Sequence, residues 1–111
     1  GERRVISARV ADPNDLTPLQ AATLRQISDR EACDGWIAAR MTRHAGSIAK
    51  RRLELQLAGL VRAQVVDGVT QTEKTPWGAP AVIHEITPKG ARALERRDKR
   101  NAKAAAWQAA A

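Results

Sequence analysis

The sequence has no phenylalanine and no tyrosine, one cysteine, one methionine and three tryptophans in 111 residues. Each scarcity excludes something. Three scattered indoles cannot form the stacking platform that single-stranded nucleic acids require. Cys33 alone cannot close an internal disulfide, which fits a reducing compartment. Cys33, His44 and His84 stand at no zinc-ligand spacing, so no metal is expected. The 7 glycines all stand apart, so there is no Gly-rich phosphate loop. No Ser-His-Asp set and no carboxylate pair for acid–base work is evident, and the expectation is a protein without catalytic residues or cofactor. No apolar run approaches the roughly 18 residues of a membrane span, and no signal-peptide pattern opens the chain. A cytoplasmic protein is therefore expected, with Gly1 in place of Met suggesting a processed or trimmed start.

Alanine and arginine are what the chain has in plenty. Alanine supplies 22 of the apolar residues and leaves only 26 larger ones, a thin core that predicts help from a partner subunit. The length suits a single domain. Lys+Arg 19 against Asp+Glu 12 gives a net charge of +7, which draws the chain to polyanions. The excess sits in two segments, 40–62 and 89–111, each at +5, while the rest is weakly acidic.

Residues 1–15 alternate loosely through Val5, Ile6 and Val10 and break at Asp12-Pro13-Asn14-Asp15, which predicts an arm or short strand. A firm helix starts at Leu16-Thr17-Pro18-Leu19-Gln20. Thr17 suits the N-cap, Pro18 the first helical position, and Gln20 completes a capping box. Asp34 is expected to cap a short second helix with Ile37, Ala38 and Met41 inward, and Thr42 to Gly46 reads as the turn after it.

The third helix, roughly 46–58, puts Ile48, Ala49, Leu53, Leu55 and Leu57 on a broad apolar arc at 100° per residue. Ser47, Lys50, Arg51 and Glu54 fall on the polar arc, while Arg52 falls among the apolar residues and must find a partner. The alternation Leu53-Glu54-Leu55-Gln56-Leu57 would also suit a strand, but flanking helix formers and Gly59 as a stop favour the helix. Leu60 to Val66 is strand-like, Asp67-Gly68 and Pro76-Trp77-Gly78 are turn signals, and Val82 to Ile86 returns. A hairpin with a long loop is predicted. Thr87-Pro88 caps a final helix with Ala91 and Leu94, which trails into an alanine-rich tail holding Trp107.

This order is that of a winged helix-turn-helix, an α+β but mainly α fold with a three-helix core, a β-hairpin wing and a C-terminal helix. The sequence resembles bacterial winged-helix transcription regulators of the MarR and PadR type on three stretches. Leu16-Thr17-Pro18-Leu19-Gln20 with Leu24 and Ile27 is similar to the helix that starts LT-x-x-Q. Leu55-x-x-x-Gly59-Leu60-Val61 resembles the end of the recognition helix, and Ile86-Thr87-Pro88-Lys89-Gly90-x-x-x-Leu94 the closing of the wing. These frame a domain over residues 16–94, between an arm at 1–15 and a tail at 95–111. The resemblance implies a small bacterial or phage transcriptional regulator that binds sequence-specific double-stranded DNA without a cofactor. The shortage of large apolar residues predicts a homodimer through the arm and final helix, although the family's long dimerisation helices are short or missing here, and the resemblance implies palindromic sites read by recognition helices about 34–36 Å apart. The acidic-x-Arg pattern common in the MarR wing is absent, and Arg52 stands where a large apolar residue is usual. Ligand sensing does not carry over, so a small-molecule effector stays open.

On that frame Ser47, Lys50, Arg51 and Glu54, spaced i, i+3, i+4, i+7, line one stripe of the helix that enters the major groove. There Arg or Lys can read guanine and Ser can bond base or phosphate, with Glu54 at the groove edge. Arg43 and His44 would lie by the helix N-terminus and the phosphates. Thr72 and Lys74, with Thr70 and Gln71, make a polar wing tip able to touch the minor groove or backbone, and Trp77 packs under the loop. The basic final helix reads as a solvated face. The rival is a winged-helix protein–protein assembly module in a replication or transcription complex, which would not need a basic stripe on the third helix.

Overall fold

A computed structural model describes residues 9–110 of the chain. Helix α1 (Pro18–Asp29) is followed by α2 (Asp34–Met41), α3 (Ala45–Leu57), a wing of six short strands, and α4 (Pro88–Ala110). The start of α1 is fixed locally. The Thr17 hydroxyl accepts from the Gln20 amide N–H, and the Gln20 side chain accepts from the Thr17 N–H at 3.0 Å, closing the capping box. Leu16, Leu24 and Ile27 then pack with Ile37, Ile48, Leu55, Leu60 and Leu94, and small alanines fill the spaces between them. Each fully buried Leu or Ile contributes about 1.5–3 kcal/mol.

Helix α2 corrects one expectation. Its N-cap is Cys33, not Asp34, and Cys33 makes no side-chain capping bond. Asp34 lies inside the first turn with its carboxylate taken by Arg52, while the Cys33 N–H donates to Glu73 Oε2 at 2.6 Å. Helix α3 stops at the predicted glycine. Gly59 takes φ 77°, its N–H reaches the Gln56 carbonyl, and the Leu60 N–H reaches the Leu55 carbonyl at 2.9 Å. That is a Schellman stop, open to glycine because of the left-handed backbone. The Leu53–Leu57 alternation is helical.

The wing is not one hairpin around a long loop. Strands β1 (Val61–Ala63) and β6 (His84–Ile86) pair, as do β2 (Val65–Val66) with β3 (Val69–Thr70) and β4 (Thr72–Lys74) with β5 (Pro80–Val82), all antiparallel. The three ladders meet in a closed ring. The Gln64 N–H donates to the Ile83 carbonyl, the Ile83 N–H to Gln71, and the Gln71 N–H back to Gln64, at 2.8–3.0 Å. Asp67 and Gly68, both at positive φ, turn β2 into β3 in the manner of a type I′ hairpin. Ala32 bridges His84 and ties the wing to the link between α1 and α2.

The two stretches that open and close the wing meet in space. Thr87 donates its N–H to the Leu60 carbonyl and its hydroxyl to the Gly59 carbonyl, and Lys89 Nζ donates to the Ala58 carbonyl at 2.8 Å. Beyond this junction α4 runs unbroken to Ala110, tied to the body by the Arg25–Asp98 pair and by Arg100 donating to the Asn14 carbonyl. Ala11 is buried and its N–H donates to the Glu54 carbonyl, so 9–15 packs on α3. The rest of the expected arm, 1–8, lies outside the described residues.

Gly90 sits in this junction with no room for a side chain. A Cβ there would overlap the Leu60 carbonyl oxygen and come within 2.8 Å of Ile86 Cγ1. That carbonyl cannot retreat without breaking its bond to Thr87. Gly90→Ala should therefore cost about 3 kcal/mol or more, a fall in the thermal midpoint of more than about 10 °C by calorimetry.

Candidate nucleic-acid interface

The turn between α2 and α3 passes through Thr42 at φ 54° and brings Arg43 and His44 to the start of α3. Arg43 is exposed. His44 is the N-cap, its Nδ1 accepting from the Gly46 N–H at 3.2 Å. His44, expected near phosphate, thus serves as the cap of α3. Ser47 is half-buried and Lys50 exposed on the next turn.

Rotation of α3 departs from the expected phase. Glu54, assigned to the groove edge, is only 5% exposed, whereas Leu53 at 38% and Leu57 at 53% face solvent. The cause is a donor on α1: Gln20 Nε2, one turn into that helix, reaches Glu54 Oε1 at 3.1 Å. Arg51 Nε lies 2.8 Å from the same oxygen, an ion pair without an aligned N–H bond. Arg51 is therefore half-buried and paired rather than free on an outward stripe. Arg52 finds its internal partner in Asp34, bound through Nε and Nη2 at 3.1 and 2.8 Å, with Nη1 on Gln56 Oε1 at 2.9 Å. Of the three consecutive basic side chains, Lys50 alone has no hydrogen bond or ion pair among the described residues. It lines a cavity of about 340 Å³ with Arg9, Thr17, Gln20, Arg51 and Glu54.

Thr72 and Lys74 are exposed but do not form a wing tip. They lie on β4, and the β4–β5 hairpin is strapped to α2. Trp36 Nε1 donates to the Lys74 carbonyl at 2.6 Å, and the Trp77 ring crosses so close to Gly35 that a Cβ there would meet it at 3.0 Å. Trp77 leans on α2 yet stays 71% exposed, rather than packing under the loop. The free tip is Asp67-Gly68, flanked by exposed Val65, Val66 and Val69. The site residues thus divide. Arg43, His44, Ser47 and Lys50 cluster on the turn and first half of α3, Arg51 is turned inward, and Thr72 and Lys74 belong to the brace. Leu53 was missed because apolar spacing alone placed it in the core.

Two ionisable groups behind α3 are perturbed. Burial, and then the Arg52 charge, hold the His84 pKa below 6.5 against the opposing pull of Asp34 and the Val82 carbonyl, and its Nδ1 has no hydrogen-bond partner. Burial raises the Cys33 thiol above 9.0, with the Glu73 charge adding to it, so the sulfur stays protonated. Among the described residues no group of three or more His, Cys, Asp or Glu could hold a metal ion. No described helix is long and apolar enough to cross a membrane.

A helix-turn-helix closed by a strand junction and followed by a helix defines a winged helix. Solved transcription regulators share it. A MarR family transcription regulator superposes with TM-score 0.62 at 22% identity over 88% of this chain and 60% of its own. Lactococcus lactis ZitR, as its C30AH42A mutant, gives 0.63 at 17% identity over 85% and 59%. A PadR-like transcriptional regulator from Bacillus cereus gives 0.61 at 19% over 79% and 84%. The chain spans about 60% of the first two. No family model and no curated protein matches the sequence.

The buried ties generate two measurements. Arg52→Ala strips a carboxylate that is four-fifths buried of its partner and should lower unfolding stability by about 1–3 kcal/mol in urea. For His84 the folded pKa is depressed, so the unfolded chain binds the proton more readily. Stability is therefore full above 6.5 and should fall as pH drops below it, a slope that His84→Gln should flatten in pH-dependent melts.

Proposed function

We propose that this chain is a non-enzymatic transcription regulator that binds double-stranded DNA sequence-specifically, inserting α3 into the major groove. The observation that carries the reading is the surface from Arg43 to Lys50. It offers two exposed cations, the half-buried Ser47 and the small Gly46, and the one acid between residues 42 and 57, Glu54, is buried. Phosphate attraction from Arg43 and Lys50 supplies affinity, and side chains on the groove-facing turns supply discrimination. The relatives in the fold are named as transcription regulators, which supports the same reading. Thr72 and Lys74 remain candidates for a backbone contact at the edge of the footprint. The functional unit in this reading is a homodimer joined through α4, whose residues 101–110 are exposed throughout and include Trp107 at 74%. Light scattering should then give twice 12.1 kDa at tens of micromolar, and a monomer mass rejects the pairing.

A protein-assembly role has one observation in its favour, the exposed Leu57, Val65, Val66 and Val69. Electrophoretic mobility shift separates the two readings. Wild type should retard selected duplexes in the presence of excess nonspecific competitor. Lys50→Ala should weaken all sequences alike and lower the salt slope by about one unit, and Arg43→Ala likewise. No retardation at low salt would reject DNA binding.

A further inference from the structure

Helix α3 packs Ile48 and Leu55 into the core but is otherwise unusual for a surface helix. It buries its glutamate, ties two arginines to partners on its inner side, and turns two leucines outward. A single exposed leucine is ordinary, but leucines outside while a carboxylate is buried on the same three turns is not. On that outward face Gly46, Ala49, Lys50 and Leu53 follow i, i+3, i+4, i+7 and so share one strip. Gly46 and Ala49 keep the strip shallow enough for close approach to another surface. Leu53 stands about 4.5 Å further along the axis than Lys50.

We propose that Leu53, with Ala49 beside it, is a specificity-determining contact that reads the 5-methyl groups of thymine in the major groove. This rests on the DNA-binding reading above and adds what it leaves open, which base edge α3 recognises. The three basic residues would ordinarily be assigned to guanine, whose O6 and N7 accept from Arg or Lys. Here Arg52 donates to Asp34 and Arg51 is drawn against Glu54 as an ion pair, so two of those three cations are paired inside the protein. The outward strip is instead apolar with a single cation. Thymine is the base that presents an apolar group in the major groove, and apolar side chains contact that methyl. The charges around the strip fit the same occupant. Arg43 precedes it, Lys50 lies within it, and no exposed carboxylate interrupts it, as a groove floor walled by phosphates requires.

The test removes only the methyl. A duplex selected from a random pool by the wild-type protein is remade with deoxyuridine at each thymine in turn, and binding is compared at fixed salt. At the contacted step the uracil duplex should bind wild type about threefold to fivefold more weakly, the loss for one buried methyl. Leu53→Ala should bind the thymine and uracil duplexes equally, with its melting curve used to confirm that the variant is folded at the binding temperature. Leu53→Met should restore the methyl dependence. The inference is overturned if no thymine replacement affects wild type, or if Leu53→Ala keeps the full thymine preference. The second result would leave the leucine to a protein partner. In either case retained retardation of the selected duplex shows that the DNA-binding reading survives, whereas absence of any wild-type retardation overturns both.

Discussion

Arg52 reaches across to Asp34 at the start of α2, and Glu54, two residues on, takes the Gln20 amide of α1. These ties leave α3 on different sides of its buried edge, and together they fix its rotation. Ile48 and Leu55 alone would not, because Leu53 and Leu57 are equally apolar and offer a rival inward face. Apolar transfer energy is nearly the same for either rotation. Polar satisfaction is not. Burying a carboxylate without donors costs several kcal/mol, so the rotation that meets Gln20 and Arg51 is selected over one that would strand Glu54 elsewhere. A buried polar group here settles which of two similar packings the helix adopts.

That division explains what the sequence made legible. The caps of α1 and α4 and the stop of α3 were readable because each is closed within a few residues: Thr17 with Gln20, Gly59 with Gln56 and Leu60 with Leu55, Thr87 with Gly90. Local hydrogen bonds leave local patterns. The phase of α3 depends on Gln20 and Asp34, 34 and 18 residues away from their partners, and nothing in the window around Glu54 reports them. Asp34 was misread for a related reason. An aspartate before a helix suits a cap and an arginine equally, and only the fold reveals that Arg52 is within reach. The wing shows the same limit, since the ring through Gln64, Gln71 and Ile83 joins three stretches that each look like plain strand.

The two hairpins of the wing then have different mechanical roles. The β4–β5 hairpin is bonded to α2 through Trp36, Cys33 and the Trp77–Gly35 contact, so it braces the helix-turn-helix against the strand junction. The β2–β3 hairpin carries exposed valines around Asp67 and no basic residue. An acidic, apolar tip is poorly suited to phosphate, so the proposed polyanion contact would fall on the turn and α3.

Charge and contact therefore separate within the molecule. The net +7 draws on α4 and on the stretch 40–62, and long-range attraction needs only that those charges be exposed somewhere on the surface. Short-range discrimination needs particular side chains on the contacting face, and Glu54 and Asp34 pair with Arg51 and Arg52 away from the outward face of α3. Ion pairing inside the fold thus lowers the polarity of the outward face of α3 without lowering the charge of the whole molecule much. In the proposed DNA-binding role, the base preference of that face would follow from the internal partners of the arginines rather than from their number.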